Sequence, residues 1–438
     1  MAQLNLHPDV HQKLLQTFDE KHLDSLLAYL TSPPMFTTLR FDTNVVDGET
    51  ALETLFCCLT KQCEETQREM YDMFLHPSLS DCILIKNRGP HSLHQHQKEV
   101  IVDLACGMAV LRGAHVYKQG ILGAPHSLRV GDEVSVYADL DAKCLKGLAT
   151  SYYGRKLLVG NGVAFAARTD LFGVNSNKSS GIGVQMLHPV YEAPSLAEVS
   201  LAWVSAQNLP SIACVHALDP QKGELVLDMC AAPGGKTSHI AALMGNQGRV
   251  IALEKSKERA KRMDNLKSSC IEIYKFDSTK AVADDTDSSN GPPFPPGTFD
   301  RILIDAPCSA LGQRPSYVNK MSLSQLNSFP VIQHQLLLAA VKLLKPGGVL
   351  VYSTCTITRE ENEDQVSRLL AKCSCMDLVA APVKLGGVGL AGCDLTEEQR
   401  LKVQRFDPTS TESADIYSID TIGFFIAKFV KKKHESDT

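Results

Sequence analysis

Short strand-like runs alternate with helical patterns from about residue 220 onward, and this alternation limits the possible folds more than any other feature of the sequence. The strand-like runs are ELVLDMC, GRVIALEKS, IEIYKFDS, TFDRILIDAPCS and GGVLVYSTCT. Such alternation is typical of a parallel sheet whose helices cross from strand to strand. We therefore predict an α/β fold with a doubly wound sheet over residues 220–438, with its ligands bound at the carboxyl ends of the strands.

Two regions with different patterns precede this sheet. Residues 1–95 begin with leucines at helical spacing, stop at Pro33 and Pro34, and continue into the alternating run TTLRFDTN, which predicts an α+β region. Residues 96–187 contain short β-rich runs separated by glycines, the pattern of a small barrel or sandwich. Residues 188–219 are predicted to be a linker or the remainder of the N-terminal region.

Composition excludes several classes of protein. The 438 residues are 44% hydrophobic and 21% charged, which excludes extended disorder and fibrous folds. No apolar run reaches the roughly 20 residues that span a bilayer, and the first residues lack a secretory signal. We therefore expect no membrane association and a cytoplasmic protein whose 14 cysteines are reduced. A formal net charge of -5 excludes a wholly basic nucleic-acid binder but not a local basic surface.

The segment AAPGGKT follows the strand that ends at Asp228 and forms a Gly-rich turn into a helix. Such a turn lets backbone amides approach a ligand closely. A Walker A loop would need glycine where Cys230 stands, and the dinucleotide pattern G-x-G-x-x-G is absent. An adenosyl ligand remains, with Glu254 after the next strand placed to accept hydrogen bonds from ribose hydroxyls. A purely structural turn is the other interpretation.

Three further strand ends carry side chains that can do chemistry. Asp277 ends the third strand, where its carboxylate either holds an adenine amino group or caps a helix. Asp305 and Cys308 end the fourth strand in DAPC, and Cys355 ends the fifth in STCT. In a doubly wound sheet both thiols lie on one rim beside the Gly-rich turn. Two buried cysteines with no chemical role would be the structural interpretation.

Two thiols beside a carboxylate fit methylation at carbon-5 of a cytosine. That carbon is a poor nucleophile until a thiolate adds to carbon-6 and makes carbon-5 enamine-like. The thiolate is the reactive form of cysteine. Asp305 can stabilise the adduct at the ring nitrogen and amino group, Lys236 can orient Asp305, and a second thiol can assist product release. The spacing alone does not say which cysteine is the nucleophile.

The stretches LDMCAAPGGKTSHIAAL, IDAPCSALGQRP, LLKPGG and YSTCTITREENE resemble the Sun-domain family of RNA cytosine-5 methyltransferases. The resemblance spans residues 220–430 and implies a Rossmann-like class I methyltransferase fold that uses S-adenosylmethionine. It implies Cys355 as the nucleophile and Cys308 as the thiol that aids product release. By the same resemblance, the cofactor site comprises Cys230, Ala231, Ala232, Pro233, Gly234, Gly235, Lys236, Glu254, Asp277 and Asp305. Ala310 stands where the family usually has glycine, and Glu254 where aspartate is common.

The middle region resembles a PUA domain, a small RNA-binding β-barrel, in the stretches LRGAHVY, GDEVSVY and LLVGNG. The family member with this arrangement methylates a cytosine at the acceptor end of certain tRNAs and cytosines in mRNA, and its N-terminal region is split by the inserted barrel. The resemblance therefore implies RNA as the partner, and we expect a monomeric enzyme. Candidate RNA contacts, each with an ordinary surface role as the other interpretation, are Arg112, Tyr117, Lys143, Lys146 and Asn161.

Two other functions fit parts of this pattern. A nucleotide-cofactor oxidoreductase can use the same sheet, although the glycine fingerprint is missing. An inactive RNA-binding protein can keep the fold, although Cys355, Asp305 and Lys236 are all present. We expect no bound metal, because CCLTKQC lacks the spacing of zinc ligands and HSLHQH is predicted to be a solvated loop.

Overall fold

The N-terminal region contributes three strands to an antiparallel sheet. The computed structural model describes residues 3–173, 180–266, 268–283, 291–410 and 415–433. The first elements are α1 (Pro8–Leu14), α2 (Glu20–Tyr29), β1 (Phe36–Phe41), α3 (Gly48–Thr66), β2 (Met73–Leu75) and β3 (Cys82–Lys86). The Asp19 carboxylate accepts a hydrogen bond from His22 N at 2.9 Å and so caps α2. Pro33 and Pro34 follow the end of this helix, as the sequence predicted.

The middle region forms a six-stranded sheet. Its elements are β4 (Glu99–Val102), α4 (Leu104–Val110), β5 (Val116–Tyr117), β6 (Ile121–Gly123), β7 (Glu133–Asp139), β8 (Lys156–Ala164), α5 (Arg168–Phe172) and β9 (Ile182–Pro189). The strand order is β5-β9-β8-β7-β4-β6, and only the pair β4–β7 is parallel among these described strands. Its apolar core includes Val100, Val136 and Val184, and Tyr317 from the C-terminal part of the chain packs into the same cluster.

Strand β10 (Val204–Ala206) returns the chain to the first sheet. It pairs antiparallel with β1, so that Leu39 lies opposite Ala206, and the sheet order becomes β10-β1-β3-β2. The four-stranded sheet therefore combines β1, β2 and β3, which precede the six-stranded sheet in the sequence, with β10, which follows it. This pairing places residue 207, which directly follows β10, beside the C-terminal sheet.

The C-terminal part contains the third sheet and the helices that cover it. Its helices are α6 (Leu209–Leu218), α7 (Gly235–Leu243), α8 (Lys257–Ala260), α9 (Leu323–Leu343), α10 (Glu363–Lys372), α11 (Glu397–Lys402) and α12 (Ile416–Ile419). Its strands are β11 (Leu225–Asp228), β12 (Arg249–Glu254), β13 (Ile271–Lys275), β14 (Phe299–Asp305), β15 (Leu344–Thr354), β16 (Met376–Val379), β17 (Gln404–Phe406) and β18 (Phe424–Lys431). The order is β13-β12-β11-β14-β15-β18-β16, with β17 paired to β18.

The predicted doubly wound sheet is confirmed. Strands β11 to β15 pair in parallel, whereas β18 is antiparallel to β15, β16 and β17. The chain order changes direction between β11 and β14, and the crevice at such a switch point is where α/β sheets bind ligands. Successive residues such as Val226 and Leu227 enter the clusters on opposite faces of the sheet.

The N-terminal helices pack next to the two cysteine-bearing loops. Leu14, Phe18 and Leu27 share one buried cluster with Leu311 and Ile357. Leu311 lies three residues after Cys308, and Ile357 lies two residues after Cys355. The N-terminal region therefore supports the loops at the rim of the sheet.

Candidate active site

The carboxyl ends of the central strands bring the predicted acid and its lysine together. Asp305 ends β14, and its Oδ2 lies 2.7 Å from Lys236 Nζ, while Ser353 Oγ donates to its Oδ1 at 2.9 Å. Burial alone would lower the pKa of Lys236, but the attraction of the Asp305 carboxylate outweighs it and raises that pKa. Lys236 therefore stays charged and holds the carboxylate of Asp305 in one orientation.

The two predicted thiols are in direct contact. Cys308 Sγ and Cys355 Sγ are 3.4 Å apart. The hydrogen bond from Cys308 lowers the pKa of Cys355 against the opposing effect of burial, and the Gln313 side chain also hydrogen-bonds Cys355 and lowers its pKa. The same contact and burial raise the pKa of Cys308 well above its usual value. The pKa of Cys355 is therefore lowered relative to that of Cys308.

A buried glutamate joins the loops that carry the two thiols. Glu361 is 0% exposed. Its carboxylate accepts hydrogen bonds from Ser309 N at 2.9 Å, Thr358 Oγ1 at 2.8 Å and Gln333 Nε2 at 3.0 Å. Ser309 follows Cys308, and Thr358 lies in the loop after Cys355, so Glu361 holds both loops. The sequence analysis gave this residue no role. The only sequence feature that could have indicated a role for Glu361 was its position in the polar run after STCT.

Ala310 is held in an unfavourable backbone conformation. Its φ is 55°, in the left-handed region that alanine enters at a cost. The family to which the sequence was compared usually has glycine at this position, and glycine adopts such angles freely. Gly312 N, two residues later, donates to the carbonyl of Cys355 at 3.0 Å. The turn is therefore needed to carry the chain back to the second thiol.

A cavity of 690 Å³ extends from the thiols along the ends of β12 and β13. It is lined by both thiols, by Cys230, Glu254, Asp277 and Asp305, and by the apolar side chains of Met229, Ile332 and Leu336. Two carboxylates that can accept from ribose hydroxyls and an amino group, next to apolar surfaces for a base, fit an adenosyl ligand. Asp277 also caps a short 3-10 turn by accepting from Thr279 N at 3.2 Å, so both roles considered for it remain compatible.

A second cavity of 630 Å³ lies on the other side of the Gly-rich turn. The predicted cofactor residues divide between the two spaces. Cys230 and Asp305 line both cavities, whereas Ala231, Ala232, Pro233, Gly235 and Lys236 line only the second one among the described cavities. Gly234 lines neither. Its φ is 103°, and a Cβ there would meet Leu266 Cδ1 at 2.8 Å, so glycine is required to form the turn itself.

Comparisons with known proteins agree with this geometry. A family model described as 16S rRNA methyltransferase RsmB/F matches residues 215–430. The chain is 42% identical to tRNA (cytosine(72)-C(5))-methyltransferase NSUN6 of Mus musculus, over 98% of this chain and 96% of the relative. This chain belongs to the RsmB/F family. It is also 31% identical to the tRNA (cytosine(72)-C(5))-methyltransferase of Pyrococcus horikoshii, over 87% of this chain and 88% of the relative.

A solved structure extends the comparison to the fold and the cofactor. The crystal structure of NSun6 from Pyrococcus horikoshii with SFG, an analogue of S-adenosylmethionine, matches with a TM-score of 0.77 at 28% identity, and the match covers 98% of this chain and 99% of that one. The RsmB/F-family chain described here therefore has the class I, Rossmann-like methyltransferase fold. It is an enzyme that uses S-adenosylmethionine to form 5-methylcytosine in RNA.

The five predicted RNA contacts are dispersed, and one of them is wrong. Tyr117, Lys143 and Lys146 are exposed, and Arg112 is exposed where it lines the second cavity. Asn161 is only 5% exposed. Its Oδ1 accepts from Ser135 Oγ at 2.8 Å and its Nδ2 donates to the carbonyl of His94 at 2.6 Å. The amide is used inside the six-stranded sheet, so it is unavailable to RNA.

One cluster has the composition of a metal site, although the sequence analysis expected none. Asp81, His216 and His239 lie together where the N-terminal sheet meets α6 and α7. The Asp81 oxygens are 2.7 Å from His216 Nε2 and 2.6 Å from His239 Nε2. These are hydrogen-bond distances, so the carboxylate joins the two imidazoles directly. Within the described ranges, no helix is long and apolar enough to cross a membrane.

Proposed function

We propose that this protein methylates carbon-5 of cytosine 72, at the acceptor end of a tRNA, with Cys355 forming a transient bond to carbon-6 of the base. The observation that carries the proposal is the pair of sulfur atoms 3.4 Å apart beside the Lys236–Asp305 ion pair, where two cavities meet. Two relatives named for cytosine 72 match this chain over most of its length, which supports the position.

The two thiols divide the reaction between them. The Cys355 thiolate adds to carbon-6, the electron pair of the carbon-5–carbon-6 double bond moves toward the ring nitrogen N3, and N3 takes a proton from Asp305 in its carboxylic acid form. The adduct is then a neutral enamine, and the resulting Asp305 carboxylate is paired with Lys236 until N3 returns the proton on product release. The cofactor supplies the electrophilic methyl group that carbon-5 takes. Carbon-5 then loses its proton and the bond between Cys355 and carbon-6 breaks. While Cys355 is bonded to carbon its sulfur carries no charge, so the contact that raises the pKa of Cys308 is removed. Cys308 can then assist proton removal.

The first cavity is assigned to S-adenosylmethionine. Glu254 would hold the ribose hydroxyls and Asp277 the adenine amino group, while Cys230 and Asp305 border the end of the cavity next to the thiols. The second cavity, lined by Ala231 through Pro233, Gly235 and Lys236, is assigned to the RNA nucleotide. Cys355 lines the first cavity, so carbon-6 of the base must reach past Asp305 to the thiols. Because Asp305 lines both cavities, it lies between the proposed sites of the methyl donor and the cytosine. The Gly-rich turn then separates the two substrates rather than enclosing the cofactor alone.

We also propose a division of the whole chain into three functional regions. Residues 1–95 and 188–219 form one support region, residues 96–187 are a PUA domain that binds RNA, and residues 220–438 are the catalytic domain. Both thiols and both cavities come from one chain, so a monomer suffices. The second cavity also suits an unpaired cytosine in mRNA. The 14 free cysteines suit the cytoplasm, where thiols stay reduced.

Bisulfite sequencing of tRNA and mRNA transcripts treated with enzyme and S-adenosylmethionine tests this function. We expect methylation at cytosine 72 with the wild-type enzyme and none with Cys355→Ala, because that change removes the nucleophile. Calorimetry should show that Cys355→Ala still binds S-adenosylmethionine. Cys373→Ala, at the end of α10, is the matched control and should retain full activity. Methylation by Cys355→Ala, or product only at other positions, would contradict the proposal.

A further inference from the structure

The side chain of Gln207 has a fixed orientation. Its Oε1 accepts a hydrogen bond from Arg40 Nε at 3.1 Å. A guanidinium has only donors, so the amide oxygen must face Arg40 and the NH₂ group must face away from it. Arg40 is itself 4% exposed and donates from a second nitrogen to Ser238 Oγ at 3.1 Å. The amide is thus held between the N-terminal sheet and α7.

The NH₂ group of Gln207 is buried and has no acceptor within the protein. Nine side-chain nitrogen or oxygen atoms share this condition among the described residues, and Gln207 is the one of their residues that lines the second cavity. Buried donors are nearly always paired in native structures, so an unpaired one on a residue that lines a cavity points to a ligand. The ligand atom must be an acceptor, since an amide nitrogen only donates.

Gln207 lines the second cavity, which the proposed function assigns to the RNA nucleotide. The second cavity also contains Asp305 and Lys236. A Cβ added to Gly235 would be 3.9 Å from Gln207 Oε1, with no other atom closer. The amide oxygen of Gln207 therefore lies close to the turn at Gly235. Gln207 N donates to Thr38 O at 3.3 Å, which fixes the backbone as well.

Several other side-chain donors that line this cavity are committed or exposed. Lys236 is paired with Asp305, and Arg314 donates to the carbonyls of Ser32 and Thr421. Gln313 hydrogen-bonds the Cys355 sulfur. Arg112 and Asn208 are exposed to solvent, where their orientation is not fixed. Gln207, with its amide oxygen held by Arg40 and its Nε2 unpaired, is therefore a preorganised donor among the residues that line this cavity.

We propose that Gln207 Nε2 donates a hydrogen bond to the O2 carbonyl of the cytosine that Cys355 attacks. The inference rests on the proposed function and adds a catalytic residue to it. Addition of the thiolate to carbon-6 moves negative charge onto N3 and, through the C2 carbonyl, onto O2. Asp305 serves the N3 edge, and a fixed donor at O2 stabilises the charge that develops there. A preorganised donor costs no reorganisation when the reaction occurs. Arg40 is then a positioning residue, since it acts only through Gln207.

The test compares Gln207→Glu with Gln16→Glu in single-turnover methylation at saturating RNA and S-adenosylmethionine. Gln207→Glu keeps the oxygen that accepts from Arg40 but removes the donor. Gln16 is exposed and accepts from Lys13 Nζ at 3.1 Å, so the same change there is a matched control. We expect Gln207→Glu to lower the rate about 100-fold, with unchanged affinity for S-adenosylmethionine and unchanged thermal unfolding. Gln16→Glu should match the wild type.

A second substrate separates a contact to O2 from a structural effect. RNA with 2-thiocytosine at the target position presents sulfur, a weak acceptor, in place of O2. The wild type should slow on this RNA, whereas Gln207→Glu should slow little further, because the contact is already lost. Additive effects, or a Gln207→Glu rate within threefold of the wild type, would overturn the inference. Methylation of ordinary RNA by the wild type in the same series reports on the proposed function separately.

Discussion

The rim of the C-terminal sheet and the six-stranded sheet differ in where the structure places the candidate residues, together at the rim and dispersed on the six-stranded sheet. At the rim, Asp305 and Cys308 follow one strand, Cys355 follows the next, and all three lie within one site. On the six-stranded sheet, Lys143 and Lys146 are exposed, but Asn161 is buried in a hydrogen-bonded position. Both sets were chosen from short motifs in the sequence.

The difference has a topological cause. In a parallel sheet every strand delivers its carboxyl end to the same edge, so residues at strand ends meet whatever the details of the loops. In a mixed sheet, a residue's exposure depends on which neighbour pairs with its strand. Asn161 lies on β8 opposite Ser135 of β7 and His188 of β9, which encloses its side chain on both sides. A motif at a strand end is thus a better guide to function than one within a strand.

The largest effect is expected at the rim, from Cys308→Ala. This change removes the thiol that assists product release, so a covalent protein–RNA adduct should accumulate and migrate as a slower gel band. It also removes the hydrogen bond that lowers the pKa of Cys355. Because alkylation requires the thiolate, the pH midpoint for alkylation of Cys355 by iodoacetamide should move upward. Mass spectrometry at this residue measures the midpoint.

The control for this prediction is Cys373→Ala, which lies outside both cavities. It should give neither the slow band nor a shifted midpoint. An unchanged midpoint in Cys308→Ala would show that the sulfur contact does not determine the acidity of Cys355. Absence of the adduct during turnover would contradict the release role of Cys308.

A smaller effect is expected on the six-stranded sheet, from combined Lys143→Glu and Lys146→Glu. Both lysines lie in the loop between β7 and β8, beside Tyr153, which is 94% exposed. If both contact phosphates of unpaired RNA, the slope of log affinity against log salt should fall by about 1.4. Filter binding across a salt series measures the slope. Lys61→Glu with Lys86→Glu, two exposed lysines of the N-terminal region, is the matched control, and an unchanged slope in the first pair would remove this loop from the RNA surface.

The smallest effect is expected from Ala310→Gly at the rim. Glycine relieves the cost of the left-handed backbone, and we expect a gain of about 0.5–1 kcal/mol in the free energy of unfolding, measured by urea denaturation. Ala142→Gly, in the loop after β7 and also at φ 55°, should give a similar gain. Ala371→Gly in helix α10 should instead destabilise the protein. Destabilisation by Ala310→Gly would show that the turn depends on the alanine side chain.

Several elements of the site were predictable because their positions follow from the chain's local pattern. The strand ends at Asp228, Glu254, Asp305 and Cys355 were placed correctly by apolar runs alone. Glu361 and Gln207 were not predicted. Glu361 joins two loops whose cysteines are 47 residues apart in the sequence. The amide of Gln207 is oriented by Arg40, which is 167 residues away in the sequence. No local pattern encodes a contact of that range.

The sequence by itself determined the presence of a parallel sheet, its rim and the chemical groups on it, because alternating apolar runs and helices favour parallel strands, whose carboxyl ends lie at one edge. Only the tertiary structure decided that the two sulfur atoms are in contact, which residues of the Gly-rich turn line which cavity, and which amide nitrogen is left without a partner. These properties depend on burial and on atoms brought within hydrogen-bond distance by the packing of three sheets. Burial and long-range contact are features of the folded chain rather than of any segment of it.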